Sequence, residues 1–365
     1  MRLKNSNAMS DPQRKSQINS QLRTPDSELR TFLPRLMRGE NLSRAEAGRL
    51  LEALLDGAAT DGQIASTLIA LKMKGETVEE LAGLAETMRN RATRINSRHS
   101  CFIDTAGTGS SRAKTFNVST AAAFVIAGAG LPVAKHGNRA ASSRCGSADV
   151  LGALGVNVSS SVDCSEKCLN EIGICFMFAP LYHGATARVA SIRRELGVQT
   201  TFNLLGPLTN PARAPRQIIG VWSHDLLEPM AHALSLLGIE RAWVVHGADG
   251  LDEITIADKT FVAEAEDGKV RTFEIQPQDF GLQTVALDEI RGGDADANAQ
   301  IIRDVLSGTR RDQARDLVIA NAAAALFLGG AANNLLNAAE LARTSIDGGA
   351  ANEKLEQLIQ ATNQT

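Results

Sequence analysis

Apolar positions along this chain repeat with two different periods. From Ser27 to about Ala92 they follow the helical one: Leu50, Leu51, Leu54 and Leu55 stand at i, i+1, i+4 and i+5 and share a helix face. Ser43 with Glu46, and Thr77 with Glu80, are spaced as S/T-x-x-E capping boxes, in which side chains satisfy the backbone N–H groups that a helix start leaves free. Gly39, Gly57 and Gly75 fall between the periodic segments, where a helix end favours a residue tolerant of positive φ. This pattern predicts a small all-helical bundle.

Past about residue 100 the texture changes. Short apolar runs, "CFID", "LPVAKHG", "ICFMFAP", "QIIGVW" and "AWVVHG", alternate with helical segments, which predicts βα units and a mainly parallel sheet. The stretch "TFVAEAEDGKVRTFEI" reads as a hairpin turning at Asp267-Gly268, and amphipathic helices return from about residue 299. The expected fold class is α/β, with a small all-helical domain beside a larger α/β domain built on a mainly parallel central sheet.

Bulk properties narrow the function. A chain of 365 residues exceeds the usual single-domain size, and its apolar share of 44% and charged share of 22% are ordinary for a globular protein. A formal charge of -3 offers no electrostatic reason to expect nucleic acid as a partner. Cys101, Cys145, Cys164, Cys168 and Cys175 form no CxxC pair, and their odd number suggests reduced thiols in a cytoplasmic protein rather than a disulfide framework or a zinc site. The longest apolar stretch, Thr120 to Ala134, is broken by Gly128, Gly130 and Pro132 and falls short of the roughly 20 residues a membrane span needs. Residues 1–26 are polar, lack the apolar segment of a signal peptide, and read as a disordered leader.

Two loops carry the chemistry. In a βα unit the loop leaving the strand meets the next helix's N-terminus, where free N–H groups and the helix dipole favour an anion. "GTGSSRAKTFNVST" occupies that place. Gly107 and Gly109 let backbone approach a phosphate, and Ser110, Ser111, Thr115, Asn117, Ser119 and Thr120 offer short donors. After the next apolar run, "VAKHGNRAASSRCGSADVLGALG" sets Lys135, His136, Asn138, Arg139, Ser142, Ser143, Arg144 and Ser147 around Gly137 and Gly146. Cations and hydroxyls beside a helix beginning near Ser147 suit a second phosphate group. Asp252-Glu253 follows the strand end and turn of "VVHGADGL", and adjacent carboxylates can hold Mg²⁺.

The order "GTG...TFNVST", "KHGNR.ASS..GSADVL.ALG", "RRELG..T.FNLLGPLTNP" and "GLDE" resembles the anthranilate phosphoribosyltransferase family, from about Ser27 to about Leu358. The resemblance implies a nucleoside phosphorylase/phosphoribosyltransferase-like fold. Its helical domain, 27–98, is completed by helices within about 183–212, and the α/β domain comprises 99–182 and 213–365. It further implies homodimers formed through the helical part, and the glutaminase subunit of anthranilate synthase as a candidate partner. The implied reaction transfers phosphoribose from 5-phosphoribosyl 1-diphosphate (PRPP) to the amine of anthranilate in tryptophan biosynthesis, and the two loops, with Val118 among their residues, then grip the two phosphorylated ends of PRPP.

By the same resemblance Ser119, Asp252 and Glu253 hold Mg²⁺, expected as two ions. Arg193, Gly107 and Asn138 line the acceptor site, Pro207 is a further substrate-binding position, and Lys135, His136 and Arg193 are the candidate catalytic residues. Five positions depart from the family's usual pattern: Gly107 to Arg112 reads GTGSSR rather than GTGGDG, Gly184 replaces a common proline, and Gln199 a frequent arginine. Two other readings share the architecture, a pyrimidine-nucleoside-phosphorylase-like enzyme and a non-catalytic nucleic-acid-binding relative. The "HGNR" and "DE" elements speak against the first and the acidic charge balance against the second.

Overall fold

The computed structural model describes residues 25–109, 115–140, 145–286 and 290–364, so most of the expected leader lies outside it. Helices α1 (Pro25–Met37), α2 (Arg44–Leu55), α3 (Asp61–Lys74) and α4 (Val78–Arg91) open it. Both expected capping boxes form, and Thr60 with Gln63 makes a third, in which glutamine replaces the acid. Leu50, Leu51, Leu54 and Leu55 are all buried. Glu80 does more than cap, because its carboxylate also accepts from the Leu42 N–H at 2.8 Å and the Lys74 ammonium at 2.7 Å, tying α3 and α4 to the connection that leads into α2.

The βα units follow: β1 (Ile103–Asp104), α5 (Val118–Gly128), β2 (Val133–Gly137), α6 (Ser147–Ala153), α7 (Val162–Ile172), β3 (Ile174–Phe178) and the short α8 (Ala179–Tyr182). Helices α9 (Ala187–Leu196) and α10 (Thr201–Leu208) then return to the bundle, α9 against α2 and α3, and α10 against α3 and α4. The chain re-enters the sheet through β4 (Arg216–Gly220), α11 (Leu227–Leu236) and β5 (Arg241–Gly247). Strands β6 (Thr260–Glu266) and β7 (Lys269–Ile275) form the expected hairpin, whose turn residues Asp267 and Gly268 both take positive φ, 50° and 76°, matching the twist of the strands. Helices α12 (Ala295–Leu306), α13 (Gln313–Leu328), α14 (Leu335–Asp347) and α15 (Ala350–Asn363) complete it.

Among the described residues the strand order is β3-β2-β1-β4-β5-β6-β7, parallel from β3 through β5 and antiparallel beyond. From β1 the sheet grows one way through β2 and β3, and from β4 the other way through β5. The topological switch, where ligands bind outside strand carboxyl ends, therefore lies between β1 and β4. Strand alternation divides the apolar side chains into two cores. Trp243 and Val245 join a core with α5 and α13, while Ala242, Val244, Ala263 and Ala265 face α11 and a second core that runs without interruption into the helical bundle. Within the described residues no helix is long and apolar enough to cross a membrane, and the five cysteines form no disulfide.

Candidate active site

The loop after β1 begins at the switch point. Thr108 gives both its N–H and its hydroxyl to the Gly220 carbonyl at the end of β4, at 2.8 and 3.0 Å. Asn117 stands at the N-cap of α5, yet its side chain forms no capping bond to that helix. Instead it donates to the Cys145 carbonyl at 3.4 Å and accepts from Asn298 at 3.1 Å. Asn117 thus does not cap α5, and the Ser119 N–H of its first turn is taken instead by the Glu253 carboxylate at 3.3 Å. The Val118 and Thr120 N–H groups go to the Phe116 and Asn117 carbonyls, so what this helix start offers an anion is the positive end of its dipole.

Lys135, on β2, is 4% exposed, and its ammonium reaches the Thr105 carbonyl at 3.0 Å, the Thr105 hydroxyl at 3.2 Å and the Ser119 hydroxyl at 3.4 Å. Burial pulls its pKa down, while the charges of Asp104 and Glu253 push it back up. Glu253 shows the mirror image. Burial and then the neighbouring Asp252 charge hold its carboxyl well above the ordinary range, against the pull of Lys135 and the Ser119 hydrogen bonds. Asp104 and Glu253 thus face one ammonium, with Asp252 beside Glu253, and a cation bound at this acidic pair would favour its charged form.

Two contacts fix the acidic pair. A methyl group placed on Gly220 would sit 1.6 Å from the Asp252 carbonyl oxygen, so this strand end admits only glycine. On the other side Asn321 of α13 clamps the backbone of Ile254, donating to its carbonyl at 2.9 Å and accepting from its N–H at 3.0 Å. Among the described residues no cluster of three or more His, Cys, Asp or Glu forms. The two carboxylates and the Ser119 hydroxyl offer an all-oxygen set, the ligand chemistry that suits Mg²⁺, a cation that keeps waters and substrate phosphates as its remaining ligands.

The second loop is closed by Asp149, an acid the sequence reading passed over. Its carboxylate accepts from the N–H groups of Ala140 and Gly146, both at 2.9 Å, and from Arg139 at 3.0 Å. Burial alone would raise its pKa, but these donors hold it below the ordinary range. The Arg139 guanidinium, which also lies over the Phe178 ring at 5.7 Å, is therefore already charge-paired in this state. Asn138 turns its side-chain oxygen to the Arg139 N–H, and its carbonyl receives the Ser147 hydroxyl.

Helix α10 links this region to Arg193. The Arg193 guanidinium donates to the Thr200 hydroxyl and the Asn203 side-chain oxygen, each at 3.0 Å, and lies over the Phe202 ring at 5.4 Å. No carboxylate among the described residues lies within ion-pair distance of it, and burial lowers its pKa. Three residues along the same helix, the Gly206 carbonyl accepts from His136 Nδ1 at 3.2 Å. A carbonyl only accepts, so Nδ1 carries the proton and Nε2 presents a lone pair. That Nε2 is buried without a hydrogen-bond partner, as is Nε2 of His183, whose ring centroid lies 5.2 Å away.

Both imidazoles are held neutral. Burial, then repulsion from His183, brings His136 to about 3, and burial brings His183 to about 4, partly offset by a hydrogen bond to the Thr209 backbone. At pH 5 the unfolded chain protonates both while the folded protein does not, a loss of about 2 kcal/mol for each relative to pH 7. Asp104 works in the opposite direction. Burial raises its carboxyl to about 6, so on descending to pH 5 the fold gains a proton that the unfolded chain declines, worth about 1 kcal/mol. Glu253, whose carboxyl is raised to about 8, gains a further amount of about 2 kcal/mol over the same interval, so the two carboxyls offset the two histidines and the wild-type urea midpoint is expected to change little from pH 7 to pH 5. His183→Leu removes one histidine's opposing share, so its midpoint should rise on going to pH 5 relative to wild type, and parallel profiles would show that His183 carries no such share.

The structure brings Ser119, Lys135, His136, Asp252 and Glu253 together at the switch point, with Gly107 beside Gly220, Gly137 ending β2 and Pro207 within α10. Thr115 begins the approach to α5 and bridges to Arg291. Val118 is fully buried, so its backbone is what it can offer a ligand, and the Thr120 hydroxyl is buried without a hydrogen-bond partner. Ser110, Ser111, Arg112, Ser142, Ser143 and Arg144 lie outside the described residues. Asp104, Asp149, His183, Gly220, Asn298 and Asn321 were not singled out by the sequence, although Asp104 ends the "CFID" run, Gly220 lies in "QIIGVW" and Asp149 in "GSADVL".

Comparison with known proteins agrees with this geometry. Residues 30–92 match the "Glycosyl transferase family, helical bundle domain" and residues 99–352 the "Glycosyl transferase family, a/b domain". The chain is 50% identical over 331 residues to the anthranilate phosphoribosyltransferase of Moorella thermoacetica, covering 91% of this chain and 97% of that protein. The crystal structure of the Thermus thermophilus enzyme of that name superposes with a TM-score of 0.85 at 38% identity, over 90% of this chain and 98% of the other. That of the Saccharomyces cerevisiae enzyme, in complex with PRPP and Mg, does so at 0.84 and 28%, over 92% and 98%. With the two-domain architecture, the acidic pair at the switch point and these likenesses in agreement, the chain belongs to the anthranilate phosphoribosyltransferase family.

Proposed function

We propose that this protein transfers the phosphoribosyl group of PRPP to the amine of anthranilate, releasing diphosphate, in tryptophan biosynthesis. One observation carries the reading: Ser119, Lys135 and Glu253 meet at the sheet's switch point, between two donor-rich loops. PRPP has a phosphate at one end and a diphosphate at the other, and the two loops offer one site for each. Asp252, Glu253 and Ser119 would hold Mg²⁺, two ions in this proposal, which when bound neutralises the charge developing on the departing diphosphate.

The acceptor is placed by α10. Arg193 is a half-buried cation whose neutral partners Thr200 and Asn203 fix its plane, leaving it to pair with the anthranilate carboxylate. His136, one turn along, accepts a hydrogen bond from the amine through Nε2. It need not be a strong base, because an arylamine is a neutral nucleophile at pH 7 and its nitrogen becomes acidic once bonded to the anomeric carbon. Catalysis then rests on positioning and on stabilising the leaving group.

PRPP-dependent loss of anthranilate fluorescence, abolished by omitting Mg²⁺, tests the reading, and cleavage of thymidine by phosphate would favour the phosphorylase alternative instead. Arg193→Ala is expected to raise KM for anthranilate at least tenfold while leaving that for PRPP within about twofold. Equal effects on both substrates would remove Arg193 from the acceptor site. Assembly is proposed as a homodimer through the bundle, where Met37 and Met73 on neighbouring helices are 74% and 82% exposed.

A further inference from the structure

A third segment, unread in the sequence, holds the two loops in register. Asn298, on α12, is 3% exposed. Its side chain accepts from the Gly293 N–H at 2.7 Å and donates to the Asn117 side-chain oxygen at 3.1 Å, while Asn117 donates to the Cys145 carbonyl at 3.4 Å. Nearby, Thr115 and Arg291 form an isolated antiparallel bridge, so the segment before α12 is also tied to the first loop through its backbone.

The direction of this relay is fixed by its ends. The Cys145 carbonyl can only accept, so Asn117 must present its NH₂ there and its oxygen towards residue 298. Gly293 N–H can only donate, so residue 298 must present an oxygen to it. Residue 298 therefore needs one acceptor and one donor at the tip of a short side chain, which asparagine supplies and aspartate, leucine or alanine does not. The relay also occupies the Asn117 side chain, which makes no capping bond to α5, while the Ser119 N–H of that first turn goes to the Glu253 carboxylate.

We propose that Asn298 is a positioning residue for PRPP: through Asn117 it ties the start of α5 to the Cys145 carbonyl, and so sets the spacing of the two phosphate loops. The inference rests on the proposed PRPP reading, and concerns a residue that contacts neither substrate. It touches neither the acidic pair nor Arg193, so its effect is expected to fall chiefly on the sugar donor.

Asn298→Asp keeps the acceptor for Gly293 and loses the donor to Asn117, whereas Asn298→Ala loses both. Both variants are expected to raise KM for PRPP at least tenfold, with KM for anthranilate within about twofold of wild type and melting temperatures within a few degrees of each other. Asn298→Gln, which carries the same two groups on a longer stem, should recover part of the PRPP affinity. Agreement between Asp and Ala separates the lost donor from the added charge. If Asp does not fold, PRPP titration of the Ala and Gln variants decides. Unchanged PRPP KM, equal rises for both substrates, or a loss in Ala without one in Asp would overturn the proposal. Failure of the wild-type enzyme to consume anthranilate with PRPP would instead overturn the reading beneath it.

Discussion

Replacing Glu253 with glutamine is expected to lower turnover about a thousandfold while leaving the protein as stable as before or more so. An amide oxygen can still accept from the Ser119 N–H, so the local geometry survives, and only the charge is lost. A thousandfold corresponds to about 4 kcal/mol of transition-state stabilisation, within reach of a charge that holds a cation against a departing diphosphate. The stability gain follows from the same electrostatics. Glu253 is penalised by burial and by Asp252, and a neutral side chain relieves both. Activity lost while stability is held or gained is the mark of a group kept for function rather than for folding. Initial rates over a Mg²⁺ titration, with a thermal melt of each protein, check it. Wild-type turnover at limiting Mg²⁺ would remove Glu253 from the metal site.

Gly220→Ala should cost at least a hundredfold in kcat/KM together with several degrees of melting temperature. The added methyl would lie 1.6 Å from the Asp252 carbonyl oxygen, and backbone cannot swing aside as a flexible side chain can. Either β4 or the 252–253 segment must shift, and Thr108, which donates twice to the Gly220 carbonyl, shifts with the strand. Gly152→Ala is the matched control, because a methyl there, within α6, meets nothing within 4 Å. It should retain activity and stability, since alanine is the better helix former. Comparable losses in both variants would mean that the Gly220 contact has no special role.

What the sequence made legible was local. The two S/T-x-x-E boxes, the Asp267-Gly268 turn and the five apolar runs each depend on neighbours a few residues apart, and each became the element expected. The Thr60 box escaped only because Gln63 stood in for an acid. The site's supports were illegible because their partners are distant in the chain. Asn321 clamps Ile254 from 67 residues away, and Asn298 reaches Asn117 across 181. No periodicity or spacing rule links such positions, so buried asparagines on amphipathic helices read as interruptions in an apolar face. Asp104 was hidden differently: its carboxylate looks like an ordinary strand-end acid until its two partners, the His136 N–H and the Asn210 amide, fold around it.

The apolar layer that runs from one face of β4, β5 and β6 through α11 into the bundle bears on how the protein can be re-engineered. Residues 25–91 do not constitute an exchangeable cassette, because a graft from a relative would also have to import the stretch from about 187 to 236 and match the alanines lining that side of the strands. Recombination between homologues is better directed to crossovers that leave both pieces inherited from the same parent.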